Sequence, residues 1–114
     1  MQDGIYHAAI WLPADLAKPI VGAYDYFEWS NHAKAKLLAQ KVSLRGHYVF
    51  YPVEVEVRHG IINKTTYRGH YSLQKDLCLV VSNQIPPLVI TAWLNNYWDN
   101  HDSLYKDRYE KAPG

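Results

Sequence analysis

Cysteine is almost missing from this chain. Cys78 is the only one, so no internal disulfide forms and no set of thiolates is available to hold a metal. Set within Leu77-Cys78-Leu79-Val80-Val81, it reads as a small buried hydrophobe rather than a nucleophile. An excess of either charge is missing too: twelve Lys and Arg oppose eleven Asp and Glu, for a net charge of +1. A protein that grips nucleic acid by phosphate neutralisation alone is usually more basic, so any such contact here is local. No apolar run nears the roughly 18–20 residues that span a bilayer. The start, Met1-Gln2-Asp3-Gly4, lacks the basic and apolar regions of a signal peptide. A soluble, cytoplasmic protein in a reducing compartment, without membrane contact, is expected. A glycine-rich phosphate loop, a G-x-S-x-G elbow and a Cys–His pair are all absent, and no cofactor or metal is expected.

Phenylalanine is scarce, at two, while tyrosine and tryptophan reach ten and four. Such rings join a large apolar body to a polar handle, which suits a small core, an interface or a stacking surface. At 114 residues, 48% hydrophobic and 20% charged, the chain has the composition of one globular domain. Its charges are uneven. His32 to His47 holds Lys34, Lys36, Lys41 and Arg45 with no acid, whereas Tyr24 to Glu28 carries Asp25 and Glu28.

Along the chain, Ile5 to Leu12 reads as a strand or packed arm, Pro13 to Lys18 as one helical turn, and Tyr24 to Trp29 as extended. Ser30 is an N-cap for a helix from Asn31 to about Val42, with Gly46 beyond its end. Ala35, Leu38, Ala39 and Val42 make its apolar stripe, and His32 and Lys36 share a neighbouring face. The period then changes to two. Val53, Val55 and Val57 alternate with Glu54, Glu56 and Arg58 in a half-buried strand, and His59-Gly60 turns into a return strand from Ile61 to Tyr71. After a turn over Ser72 to Asp76, Leu77 to Val81 reads as a central strand and Leu88 to Leu94 as another. Asn95 to Asp102 reads as a loop and Ser103 to Lys111 as a short final helix. The predicted fold is α+β: a single domain over residues 1–114, with an N-terminal extended aromatic segment and one main helix packed on a curved antiparallel sheet of about four strands.

A helix-first order, a histidine in the opening turn (Asn31-His32-Ala33) and strands ending in Val89-Ile90-Thr91-Ala92-Trp93 resemble the barnase–EndoU–colicin–RelE group of small ribonucleases and toxins. The resemblance covers about Trp29 to Trp93. It implies an endoribonuclease acting on mRNA or other single-stranded RNA in a bacterial or phage-infected cytoplasm. It also implies catalytic positions at His32, Thr91 and a mid-sheet basic residue, Arg68. The chain departs from that group in being nearly neutral, and the group itself varies its catalytic set.

The residues support the same chemistry independently. Metal-independent RNA cleavage needs a base for the 2′-oxygen, an acid for the 5′-oxygen and donors for the crowded phosphate. Histidine suits proton transfer near neutrality, and arginine suits phosphate because it donates two parallel bonds at permanent charge. Arg68 and His70 fall on one side of an extended strand while Tyr67, Gly69 and Tyr71 fall on the other. The candidate catalytic set is therefore His32, Arg68, His70 and Thr91, with Lys36, Tyr71 and Trp93 binding substrate, the last two by stacking an unpaired base. Each has a plain structural reading as well. His32 bonds locally in its turn, Arg68 pairs with Glu54 or Glu56 across the hairpin, His70 is a satisfied inward histidine, Thr91 is a strand former, and Trp93 is core. A second group, Asp99, His101, Asp102 and Tyr105, lacks metal-ligand spacing and reads as a solvated loop.

Two functions follow from the sequence. One is the metal-independent endoribonuclease, with RNA as substrate and an antitoxin, immunity or host protein as a further partner. The other is a non-catalytic, phage-type protein that inhibits a host protein through an aromatic surface. The sequence leaves the oligomeric state open. Convergence of the polar set around one cleft separates the two readings.

Overall fold

A computed structural model describes residues 3–8, 18–43, 48–96 and 98. In chain order the elements are β1 (Gly4–His7), β2 (Ile20–Val21), a helical turn α1 (Ala23–Tyr26), β3 (Glu28–Trp29), helix α2 (Asn31–Ala39), β4 (Val49–Arg58), β5 (Ile61–Ser72), β6 (Lys75–Ser82) and β7 (Leu88–Asn96). They form an α+β fold with one main helix on a mostly antiparallel sheet, ordered β1-β4-β5-β6-β7-β3, with β2 also pairing β4. Among the described residues seven strands stand where about four were expected. The extra pieces include β2 and β3, two residues each, too short for alternation to be readable. β3 also runs parallel to β7. The stretch read as extended from Tyr24 divides instead: residues 23–26 are helical, and only Glu28–Trp29 joins the sheet. Lys75 and Asp76 belong to β6 rather than to the preceding turn.

The β4–β5 hairpin closes on His59 (φ 54°) and Gly60 (φ 78°), two successive left-handed residues. That backbone matches the twist of the paired strands, which is why His59-Gly60 reads correctly as a turn. The His59 N–H donates to Asp3 Oδ1 at 2.8 Å, tying the start of the chain to this turn. Farther along β5, Gly69 lies opposite Phe50 of β4. A Cβ there would sit 2.5 Å from the Val49 carbonyl oxygen and 2.7 Å from Phe50 Cδ1, so only glycine lets the two strands approach this closely.

Ser30 caps α2 as expected, its Oγ accepting from the Ala33 N–H at 3.0 Å. The far end comes earlier than Val42. Lys41 adopts φ 56°, its N–H reaching the Leu38 carbonyl at 3.1 Å, while the Val42 N–H reaches that of Leu37 at 2.9 Å. This is a Schellman closure, with lysine where glycine is usual. The buried residues of the helix are Ala33 and Leu37, while Ala35, Leu38 and Ala39 are exposed and Val42 is half-buried beyond the helix. The expected stripe is therefore rotated, and the two ends of α2 account for it. Ser30 Oγ donates to the Ile90 carbonyl at 3.2 Å, and Gln40 Oε1 accepts from the Leu94 N–H at 2.8 Å. These bonds satisfy the outer edge of β7 beyond its short pairing with β3, and they fix which side of the helix faces the sheet.

The sheet has two unlike faces. Under α2, Leu77, Leu79 and Val81 pack with Phe27, Trp29, Phe50, Val89 and Ala92 around Ala33 and Leu37. On the other side, Cys78, Val80 and Trp93 form a cluster against which Ile5 and Ile90 pack. β1 is separated from β6 by β4 and β5, so a flat sheet would hold Ile5 roughly 14 Å from this cluster at ~4.8 Å per strand. Ile5 nevertheless touches it, so the sheet curls and the face away from α2 is concave. Register shifts at Pro52/Glu54, Glu56/Val57, His70/Ser72 and Val80/Val81 supply bends of the kind that curl a sheet. The expected turn over residues 13–17, the arm beyond Ala8 and the final helix over 103–111 lie outside the described residues. Among the described residues no helix is long and apolar enough to cross a membrane.

Candidate functional site on the concave face

Alternation along β5 decides which polar groups meet. Arg68 faces Tyr51 of β4 and Cys78 of β6, and His70 faces Asp76. Both therefore project on the concave side, while Tyr67 and Tyr71 pack beneath α2. Arg68 Nε donates to Asp76 Oδ2 at 2.6 Å, and its Nη2 donates to the Asn96 carbonyl at 2.9 Å. The other oxygen of the same carboxylate lies 3.4 Å from His70 Nδ1, a long contact. The Arg68 and Asp76 side chains are 10% and 15% exposed, whereas that of His70 is 68% exposed. One carboxylate thus links a sequestered arginine to a histidine that water and solutes reach.

The carboxylates weighed as partners for Arg68 lie deeper. Glu54, Glu56, Lys64 and Thr66 are all buried. Register sets Glu54 opposite Thr66 and Glu56 opposite Lys64, which places this charged row on the concave face with Arg68 and His70. Glu56 Oε1 accepts from Asn63 Nδ2 at 2.7 Å and Arg58 Nε at 3.1 Å. Alternation alone puts Glu54 and Glu56 on a solvated side, but curling of the sheet encloses them. Buried charge is costly unless paired, and for Glu56 the Arg58 guanidinium supplies that pairing.

The rest of the expected set divides between the two faces. Thr91 lies opposite Val80 and Trp93 opposite Cys78, so both share the concave face with Arg68 and His70. Thr91 stands two strands from Arg68 and two residues along, level with Thr66 rather than with Arg68. Trp93 is buried and serves as core, not as a platform. His32 and Lys36 are exposed on α2, across the sheet from this group. Tyr71 packs on the α2 side, its ring 5.3 Å from that of Tyr48 and its hydroxyl accepting from the Ser43 N–H at 3.1 Å. The structure brings Arg68 and His70 together, keeps Thr91 and Trp93 on their side, and leaves His32, Lys36 and Tyr71 apart from them.

Three residues of the cluster's surroundings escape sequence reasoning. Asp76 sits in a polar run that reads as a turn. Tyr51, 55% exposed, lies cross-strand from Arg68, in a stretch without clear alternation. Trp98, 63% exposed, follows Asn96 by two residues. On the other face, beneath α2, burial and secondarily Tyr26 push the Tyr67 hydroxyl above its ordinary range. Among the described residues no group of three His, Cys, Asp or Glu side chains is placed to hold a metal ion. Asp99, His101, Asp102 and Tyr105 lie outside the described residues. Comparison with protein-family models, curated proteins and solved structures finds no match for the chain.

Proposed function

We propose that the chain is a small endoribonuclease that works on single-stranded RNA at the rim of its concave face. The observation that carries this reading is the Asp76 carboxylate shared between the largely covered Arg68 and exposed His70. Asp76 engages Nδ1, which leaves Nε2 of an accessible imidazole for proton transfer, and a carboxylate behind a histidine stabilises the imidazolium that forms. In the proposed step His70 takes the proton from a 2′-hydroxyl as that oxygen attacks the adjacent phosphorus. The bond from phosphorus to the 5′-oxygen breaks, the 5′-oxygen takes a proton from solvent at the open rim, and a 2′,3′-cyclic phosphate remains. Arg68 acts as a positioning residue: two of its nitrogens are engaged by Asp76 and Asn96, so it holds the dyad rather than forking a phosphate. The likeness to the barnase–EndoU–colicin–RelE group supports the same class of reaction, with its histidine moved from the helix to β5.

The test is incubation of purified protein with a long unstructured RNA in EDTA, beside the same RNA carrying 2′-O-methyl groups throughout. The expected result is cleavage of the first only, with 2′,3′-cyclic phosphate ends. Intact RNA at high protein concentration would overturn the reading and leave the non-catalytic binding protein in its place.

A further inference from the structure

We infer that the outward face of α2 is a docking site for a helix of another protein, one whose apolar stripe is bordered by Asp and Glu. The inference stands apart from the ribonuclease reading, because α2 lies across the sheet from the Arg68–Asp76–His70 group.

Ala35, Leu38 and Ala39 recur at the spacing of a buried helix face, yet all three are exposed, Leu38 at 80%. The sheet takes Ala33 and Leu37 instead. At about 100° per residue, Ala35 stands opposite that buried line, with Leu38 and Ala39 on either side of it. Lys34 and Lys36 leave the helix on opposite flanks, between this crest and the sheet, and both are exposed. Lys41 is exposed just past the last turn. Among the described residues none of these lysines forms an ion pair. No acid lies in α2 or in β7 beneath it. Glu28 of β3 alternates with buried Trp29 and so projects to the other face. The helix thus carries two apolar lines, one on the sheet and one turned outward between cations.

That combination selects among occupants. A second copy of this chain laid helix to helix would set lysine against lysine, and like charges oppose it. RNA would pair its phosphates with the lysines, but α2 offers its bases no Tyr, Trp or Arg to stack on, and the crest would stay uncovered. A membrane surface needs more apolar depth than one leucine among alanines. A protein helix with large apolar side chains on one stripe and carboxylates on its borders meets both parts. Its apolar stripe covers Leu38, the small Ala35 and Ala39 let the two axes approach to roughly 8–10 Å, and its carboxylates reach Lys34 and Lys36. α2 has nine residues, a length of roughly 13 Å, so the contact is small and belongs to the transient class.

The probe is a fluorescein-labelled synthetic helical peptide with leucines on one stripe and glutamates on both borders, titrated with the parent protein at low salt and read by anisotropy. Control peptides carry lysine for the glutamates or serine for the leucines, and each is expected to bind the parent at least about tenfold more weakly. The Lys34→Glu/Lys36→Glu double variant is expected to bind the acidic peptide at least about tenfold more weakly than the parent does, and the lysine peptide more tightly. Leu38→Ser is expected to weaken the acidic peptide about threefold to tenfold. Ile61→Ala, an exposed side chain at the β4–β5 hairpin, is expected to bind as the parent does. The substituted side chains are all exposed, and circular dichroism checks that each variant folds. An acidic peptide that does not bind the parent, or that binds the α2 variants unchanged, would overturn the inference. Phosphatidylglycerol vesicles or 2′-O-methyl RNA that bind the parent but not the double variant, with the peptide bound by neither, would overturn it in favour of a membrane or nucleic-acid surface.

Discussion

Asp76 is the residue on which the cluster depends, and its removal has a magnitude that the geometry sets. Its Oδ2 lies 2.6 Å from Arg68 Nε, with both side chains at least 85% covered. Breaking a buried ion pair by deleting one partner costs about 3–5 kcal/mol, because the other charge stays buried. Water reaches part of both groups here, and Arg68 keeps the Asn96 carbonyl, so Asp76→Ala is expected at the lower end, about 3 kcal/mol. Asp76→Asn keeps the shape and one acceptor but loses the charge, and about 1–2 kcal/mol is expected from the difference between charged and neutral hydrogen bonds. Urea unfolding at pH 7, followed by tryptophan fluorescence, measures both. The sharper readout is a double-mutant cycle with Arg68→Met, in which a coupling of about 1.5–3 kcal/mol is expected for partners in one network. A coupling below about 0.5 kcal/mol would refute the reasoning, since the two side chains would then be stabilised independently.

The backbone makes further claims. Gly69→Ala is expected to destabilise the fold by about 2–3 kcal/mol in the same unfolding assay, because the new methyl group meets the Val49 carbonyl and the Phe50 ring in a packed region. Lys41→Gly is expected to stabilise it by about 0.5–1 kcal/mol: relief of the left-handed strain at φ 56° exceeds the added freedom of the unfolded chain. Tyr67 sets an alkaline limit. Its folded hydroxyl loses its proton at higher pH than the unfolded one, whose value is near 10.0. Its contribution is therefore complete below pH 10 and falls as pH rises further, by at most about 1.4 kcal/mol per unit. Tyr67→Phe is expected to flatten that decline between pH 9 and pH 11 relative to the parent, and parallel curves would contradict it.

Features governed by neighbouring residues were legible in the sequence. Ser30 sits where a side-chain oxygen is needed to cap α2, and His59-Gly60 sits where two left-handed residues are needed to turn a hairpin. The apolar run from Leu77 to Val81 announces the centre of the sheet, with every residue buried. Features set by distant partners were not legible. Lys41 ends the helix in a conformation that lysine does not advertise, and the rotation of α2 depends on Gln40 reaching the edge of β7, 54 residues away. Two-residue strands leave no periodic signature. Glu54 and Glu56 alternate like solvent-facing residues, and only the cumulative curl of the sheet encloses them. The candidate site was half legible for the same reason. Alternation placed Arg68 and His70 together, but Asp76 joins them by strand register, and the face on which α2 packs separates His32 from both.

The most direct test compares two histidines in one assay: the rate of RNA cleavage in EDTA by His70→Ala and by His32→Ala, each against the parent. Both side chains are exposed, so both variants are expected to fold. The account predicts a loss of a hundredfold or more for His70→Ala, in the range for removal of a general base, and a rate within about twofold of the parent for His32→Ala. Loss of cleavage in His32→Ala with activity retained in His70→Ala would contradict it and move the chemistry to the helix.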